Sequence, residues 1–407
     1  MTALAHLSAS RIIRSIADAC ARWSDADFPP RVQCLDAIAQ RTGYSTTVIE
    51  YALDTIFDAV DEMSLRDIAN DELGALGVLD AFTTVGSLQR RAVPIGTVCI
   101  IASRTTIGVA LFPLLLALTA KCDVTIKDRE DGLVRAFLGS LVQEDALFAS
   151  AARTVEWDAT TDAHDLTVYD AVVAFGDDAT LGKIRAQCAP SARFIGFGSK
   201  ASAGYIAADS LCDKGQLHEF ALRAARDVLL YDSQGCLSLQ ILFLEHGGSL
   251  NAHTLAHAIA EAADAIAPEF PPSRRNAHDE SRITSIRALA TLRSALGRGE
   301  IITAPQANAT FVINAPREDP PPFATRTLLI LEVTDTNDAL SYLRAHGVAL
   351  EAIALASATP DLREELAQMG VSRICAFGEL QRPPLREPHG GRPRMLDFVH
   401  LSIADHV

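Results

Sequence analysis

The sequence lacks any C-x-x-C pair, although it holds eight cysteines, at positions 20, 34, 99, 122, 188, 212, 236 and 375. Structural zinc sites need closely paired thiols and disulfide scaffolds need dense frameworks, so neither is expected. Scattered single cysteines fit a reducing compartment, and a cytoplasmic location is the expectation. Residues 1–23 lack a basic segment followed by an unbroken apolar stretch, so no signal peptide is expected. The longest greasy run, residues 109–120, is far too short to span a bilayer. A basic footprint is missing too: 36 Lys and Arg stand against 51 Asp and Glu, a formal net charge of −15. Phosphate backbones need the opposite balance, which argues against a nucleic-acid partner. No repeat of fixed period and no complete G-x-G-x-x-G is found, so a conventional dinucleotide fingerprint is absent.

What is there is a chain of 407 residues, long enough for two domains of comparable size. Its 49% hydrophobic and 21% charged content is that of a globular protein. Before Pro94 the pattern reads as helices. Ile12, Ile16, Ala19 and Trp23 share one stripe; Ile49, Ala52, Ile56 and Val60 share another, with a capping-box pattern at Thr47 and Glu50. From Pro94 onward strands and helices alternate. Strands are expected at 97–103, 123–127, 170–175, 193–197, 239–245, 310–314, 327–333, 353–356 and 373–377. Helices are expected at 108–120, 133–143, 179–187 and 217–230. Such alternation implies an α/β fold with parallel sheets flanked by helices, in which ligands bind outside the strand carboxyl ends.

Several residues stand where chemistry would be placed. Lys127 closes a strand, where an ammonium could bond ribose hydroxyls or a phosphate, or simply be solvated. Gly176-Asp177 ends another strand before a helix; the glycine admits close backbone approach to a cofactor, or makes an ordinary tight turn. Ser103-Arg104-Thr105-Thr106 would present polar donors at a third strand end. Cys236 follows Tyr231-Asp232-Ser233-Gln234-Gly235 and precedes an apolar run. A thiol after a flexible glycine at a strand mouth suits an acyl-transfer nucleophile, and a small buried hydrophobe is the alternative.

The order of these features resembles the aldehyde dehydrogenase superfamily. The resemblance rests on Pro94-Ile95-Gly96-Thr97-Val98, Val124-Thr125-Ile126-Lys127, residues 172–176 and Cys236 before a strand. Residues 193–200 (Arg-Phe-Ile-Gly-Phe-Gly-Ser-Lys), Gln234-Gly235-Cys236-Leu237-Ser238, Gly370-Val371-Ser372-Arg373-Ile374, Phe377-Gly378 and His389-Gly390-Gly391 resemble its acyl-CoA reductase (LuxC-like) branch. The resemblance runs from near Gln40 to the end.

It implies an aldehyde-dehydrogenase-like fold of two domains, each with a largely parallel sheet. Residues 1–196, completed by 379–407, would form the helical segment and cofactor domain, and 197–378 the catalytic domain carrying Cys236. It implies reduction of a fatty-acyl thioester, on CoA or a carrier, through an S-acyl cysteine. Lys127, Gly176, Asp177 and Gly198 would hold the cofactor. NADPH is the expected one, with NADH the alternative, since Asp128-Arg129-Glu130 offers both an arginine for a 2′-phosphate and carboxylates for a ribose. Gly196 stands where hydrolytic relatives carry a glutamate base, which favours an acylating or reductive enzyme. Arg104 or Thr105 stands where the superfamily places an oxyanion-binding asparagine, with the Cys236 N–H as a second donor. His389 precedes a glycine pair near where the family's active site lies; His218 and His246 have no partner that the sequence identifies. A homo-oligomer, or an acyltransferase or synthetase partner, is implied as well. The alternatives are a related acyl-phosphate reductase and a catalytically silent scaffold subunit of the same fold.

Overall fold

The computed structural model describes residues 2–103, 106–128, 132–157, 164–208, 210, 214–357, 359–368 and 370–405. It divides into two compact units: residues 1–42, 49–199 and 384–407 in one, and 43–48 with 200–383 in the other. The short 43–48 segment, assigned from sequence to the first domain, clusters with the second unit.

The first unit begins with helices α1 (Ala9–Ser24), α2 (Pro29–Thr42), α3 (Thr46–Phe57) and α4 (Glu62–Leu73). The α1 stripe of Ile12, Ile16, Ala19 and Trp23 is fully buried. Trp23 packs against Phe57, ring centroids 5.1 Å apart, and its indole N–H donates to Ser140 Oγ at 2.9 Å. The start of α3 differs from the sequence reading: Ser45 Oγ accepts from the Val48 N–H, two residues earlier than a Thr47 cap would require.

The expectation of helices all the way to Pro94 is also corrected. Strands β1 (Thr83–Val85) and β2 (Leu88–Pro94) pair antiparallel around Gly86, whose φ of +63° is the left-handed geometry a two-residue hairpin turn needs. The parallel sheet follows with β3 (Thr97–Ile101), α5 (Leu111–Thr119), β4 (Asp123–Lys127), α6 (Leu133–Glu144), α7 (Phe148–Ala151), β5 (Ala152–Val155), β6 (Ala171–Phe175), α8 (Asp178–Gln187) and β7 (Arg193–Phe197). Its order is β5-β4-β3-β6-β7. The chain builds outward from β3 through β4 to β5, then restarts on the other side with β6. The topological switch point therefore lies between β3 and β6. Among the described residues no helix is long and apolar enough to cross a membrane.

The second unit contains β8 (Ala201–Ile206), α9 (Lys214–Leu229), β9 (Leu239–Glu245), α10 (Ala252–Ile266), α11 (Ala277–Ala295), β10 (Glu300–Ala304), β11 (Ala309–Ile313), β12 (Thr327–Val333), α12 (Thr336–Ala345), β13 (Leu350–Leu355), α13 (Pro360–Gln368) and β14 (Arg373–Ala376). They form a seven-stranded sheet, β10-β11-β12-β9-β8-β13-β14, parallel except for β10. Strand β8 is invisible to a hydrophobicity reading because Ala201-Ser202-Ala203-Gly204 is small. The reason is packing: a Cβ on Gly204 would meet the Phe377 ring at 2.5 Å and Leu242 Cδ1 at 2.8 Å. The chain ends in the first unit with β15 (Val399–Ala404), which pairs antiparallel with β2.

Candidate active site

Strands β12, β9, β8 and β13 are consecutive neighbours in one parallel sheet, so their amino ends lie along one edge. Arg326 directly precedes β12, Cys236 lies three residues before β9, Lys200 directly precedes β8, and Glu351 is the second residue of β13. Four chemically notable residues from distant parts of the chain are thus gathered on one edge. The place of Cys236 before a strand agrees with the sequence reading, which did not bring Arg326, Lys200 or Glu351 to the same edge.

Two β-bulges help to aim side chains at this edge. Ser202 pairs with Leu239 and Ala203 with Ile241, leaving Gln240 as the extra residue. Ala201 pairs with Leu350 and Ser202 with Ala352, leaving Glu351 as the extra residue. A bulge breaks the strict alternation of a strand and redirects the side chain it carries. Gln240 Nε2 donates to the Ser233 carbonyl at 2.9 Å. Glu351, with only 4% of its side chain exposed, pairs with Lys200 at 2.9 Å.

Cys236 is half-buried, whereas Cys20, Cys34, Cys99, Cys122 and Cys188 are buried; of the other described cysteines only Cys375 shares its partial exposure. Burial pushes the Cys236 thiol up to about 12, and the Glu351 carboxylate adds to the rise. The backbone N–H groups of Cys236 and Leu237 and the Lys200 ammonium pull the other way, because they favour the thiolate. At neutral pH the sulfur therefore carries its proton until something removes it. The loop is pinned on both sides: Ser202 Oγ donates to the Cys236 carbonyl at 2.7 Å, and Gln381 Nε2 donates to Ser238 Oγ at 2.8 Å.

The turn ahead of Cys236 is strained. Tyr231, Asp232 and Ser233 have φ of 54°, 54° and 59°, three successive non-glycine residues in the left-handed region. Each such residue costs roughly 1–2 kcal/mol relative to the right-handed form. Asp232 forms an ion pair with Arg326 at 2.5 Å, each side chain 1% exposed.

In the first unit, Gly176 and Gly198 follow β6 and β7, which are adjacent. The Gly176 N–H donates to the Phe197 carbonyl at 3.2 Å. Asp177 caps α8 by accepting from the Thr180 N–H at 2.7 Å, and that bond with the Thr180 hydroxyl holds its carboxyl below the usual range. Asp178 accepts from the Ser199 N–H at 3.1 Å, and a Cβ on Gly198 would meet that same carboxylate at 2.4 Å. Lys127 is buried at the end of β4, its ammonium 4.3 Å from the centre of the Trp157 ring. That cation–π contact is absent from the sequence reading, because Trp157 lies thirty positions along, just past β5. Arg104 and Thr105, expected at the oxyanion, and Arg129, expected near the adenosine ribose, lie outside the described residues.

A profile of the acyl-CoA reductase (LuxC) family matches residues 4–401. The chain belongs to the LuxC family. Similar curated proteins include the long-chain acyl-protein thioester reductases of Aliivibrio fischeri, 22% identical over 92% of this chain and 77% of that one, and of Vibrio harveyi, 22% identical over 92% and 78%. The fold is that of the aldehyde dehydrogenases. A benzaldehyde dehydrogenase from Corynebacterium glutamicum superposes with a TM-score of 0.71 at 13% identity, over 98% of this chain and 86% of that one. An indole-3-acetaldehyde dehydrogenase in complex with NAD+ gives 0.69 at 14% identity, over 99% and 85%.

Within this LuxC chain, the residues expected from sequence to hold a cofactor lie at the carboxyl ends of β4, β6 and β7. Gly176 follows β6 beside the switch point, Gly198 follows β7 one strand further on with the Asp178 carboxylate against it, and Lys127 ends β4. Gly196, in β7, has no room for a side chain: a Cβ there would meet Phe194 Cε1 at 2.8 Å and Leu181 Cδ1 at 3.3 Å. His389 stacks on Phe197, centroids 4.1 Å apart, and Phe197 on Phe175 at 4.9 Å. His218 and His246 are exposed.

The Lys127–Trp157 contact makes a cofactor probe. Only Trp23 and Trp157 are present in the chain, and Trp23 is fully buried among helices. A reduced nicotinamide dinucleotide held near Lys127 is expected to quench tryptophan emission in the native protein and far less in Trp157→Phe. Equal quenching in both would move the cofactor away from the end of β4.

Proposed function

We propose that this LuxC-family chain reduces a long-chain acyl thioester to the aldehyde through an S-acyl intermediate on Cys236. The observation that carries the reading is the half-buried Cys236, set among Lys200, Glu351 and backbone N–H donors at one sheet edge. The sulfur attacks the thioester carbonyl as its proton leaves, and the tetrahedral intermediate expels the donor thiol, which takes up a proton. Arg104 or Thr105 and the Cys236 N–H would stabilise the oxyanion. The acyl group then rests on Cys236. With glycine at position 196, no carboxylate there activates water, so the acyl-enzyme survives. Lys127, Gly176, Asp177 and Gly198 would bind a reduced nicotinamide, NADPH in preference to NADH, which when bound supplies the hydride. The thiohemiacetal on Cys236 collapses to aldehyde, and the sulfur regains a proton.

The relatives' names favour an acyl group delivered on a protein, and the family's description one delivered on CoA. Both are thioesters, so the test has two arms. The purified chain is incubated with a long-chain acyl-CoA or with an acyl-carrier-protein thioester, without cofactor. Intact mass is expected to rise by one acyl group, mapped to Cys236 by peptide digestion. NADPH should then discharge it as aldehyde faster than NADH does. An adduct on another residue, or one that reduced cofactor does not discharge, would overturn the mechanism. The faster arm identifies the donor.

A further inference from the structure

The left-handed turn Tyr231–Ser233 is held at every carbonyl. The Tyr231 carbonyl accepts from Tyr44 Oη at 3.2 Å, that of Asp232 from the Arg326 N–H at 3.1 Å, and that of Ser233 from Gln240 Nε2 at 2.9 Å. The Asp232 carboxylate accepts from Arg326 Nε at 2.5 Å through one oxygen, and from the N–H (2.9 Å) and hydroxyl of Ser273 through the other. The two other guanidinium nitrogens donate to the carbonyls of Ala307 and Phe270, each at 2.8 Å. Arg326 itself sits at φ +49°.

A buried ion pair is a weak device for stability, since apolar residues of similar volume often serve as well. It is a strong device for geometry, because every donor of a planar guanidinium fixes a direction. Unfavourable backbone conformations persist only where surrounding contacts over-determine them, and they cluster at functional sites. Here the contacts converge on a turn that ends three residues before Cys236, while Ser202 holds the Cys236 carbonyl from the other side.

We propose that Asp232 and Arg326 are positioning residues that set the direction of the Cys236 thiol for attack on the acyl carbonyl. The proposal rests on the reading of Cys236 as the acylated residue. A displacement near 1 Å at a reacting group is enough for about a 10²-fold loss of rate. The pair acts through the loop and touches no substrate.

The test uses the full chain with Asp232→Asn, Arg326→Lys and the apolar replacement Asp232→Leu/Arg326→Met. Circular dichroism and thermal melts establish which are folded. In folded variants single-turnover acylation of Cys236 is expected to fall by about 10- to 100-fold. KM for the thioester should stay within about threefold, and the pH profile of Cys236 alkylation should not move, since direction and not acidity has changed. Folded variants that acylate at the native rate would overturn the proposal. If all three fail to fold, Gln240→Ala decides: it removes only the bond to the Ser233 carbonyl, and an acylation rate equal to that of the native chain counts against the pair's role. Absence of acylation at Cys236 in the native chain is a separate outcome that defeats the underlying reading.

Discussion

Replacing Cys236 by alanine is expected to abolish both acyl labelling and aldehyde formation, with reduction falling by at least about 10³-fold. The expectation is this large because hydride delivery to a thioester needs the acyl group fixed on the enzyme, and alanine has no atom to hold it. A trace of labelling that survived the change would show that another nucleophile carries the chemistry. The same variant tests the electrostatics. The folded thiol holds its proton to about 12, whereas an unfolded cysteine releases it near pH 8.5. A folded-state value above the unfolded one means that the contribution to stability is complete below the unfolded value. It is lost as pH rises from there through the folded value. Melting temperatures recorded from pH 7 to 11 should therefore fall less steeply in Cys236→Ala than in the native protein. Parallel curves would mean that the thiol is less desolvated than its surroundings imply.

Removing the cation beside that thiol has the second largest expected effect. Lys200→Met leaves the Glu351 carboxylate, 4% exposed, without the ammonium now at 2.9 Å. Breaking a buried pair from one side costs about 3–5 kcal/mol, and the lower end applies because Lys200 keeps 26% of its side chain exposed. A loss near 3 kcal/mol lowers the melting temperature by about 6–12 °C for a unit of this size. The thiol also loses a charge that favours its ionised form, so alkylation of Cys236 at pH 8 should slow. Glu351→Gln should do the reverse, because it removes the carboxylate that opposes the thiolate; each unit of lowered pKa gives tenfold more of it. Alkylation rates across pH for the two variants give the check. Shifts in the same direction would show that the pair acts on folding alone and not on the sulfur.

The two predictions draw on different kinds of information. Cys236 was legible in the chain: a glycine, then a thiol, then an apolar strand. So was most of the alternation from Thr97 to Phe197, where β4 and β7 match the expected bounds, although α7 and the edge strand β5 were not read. Lys200 was legible only as the last letter of a family-like segment, and Glu351 not at all. A glutamate within Leu-Glu-Ala-Ile-Ala-Leu reads as a polar interruption, and nothing local says that a bulge turns it toward Lys200. The hairpin before Pro94 was missed because its turn, Gly86-Ser87, is short and its longer strand, β2, carries Gln89, Arg90 and Arg91. Strand β8 was missed for the opposite reason, since its residues are small where neighbours press close.

By itself the sequence determined the alternating α/β pattern and many of its elements, because hydrophobic period, turn residues and caps act over a few positions. It also pointed to the family, and with it to Cys236 as the candidate nucleophile. Only the tertiary structure decided what surrounds that thiol. Parallel strands bring Arg326, Cys236, Lys200 and Glu351 to one edge in the order β12-β9-β8-β13, which differs from their order in the chain. Pairing between strands as distant in the chain as β8 and β13 is set by the packing of the whole sheet, and no local pattern encodes it. The pull on the thiol and the brace on its loop both arise at that level.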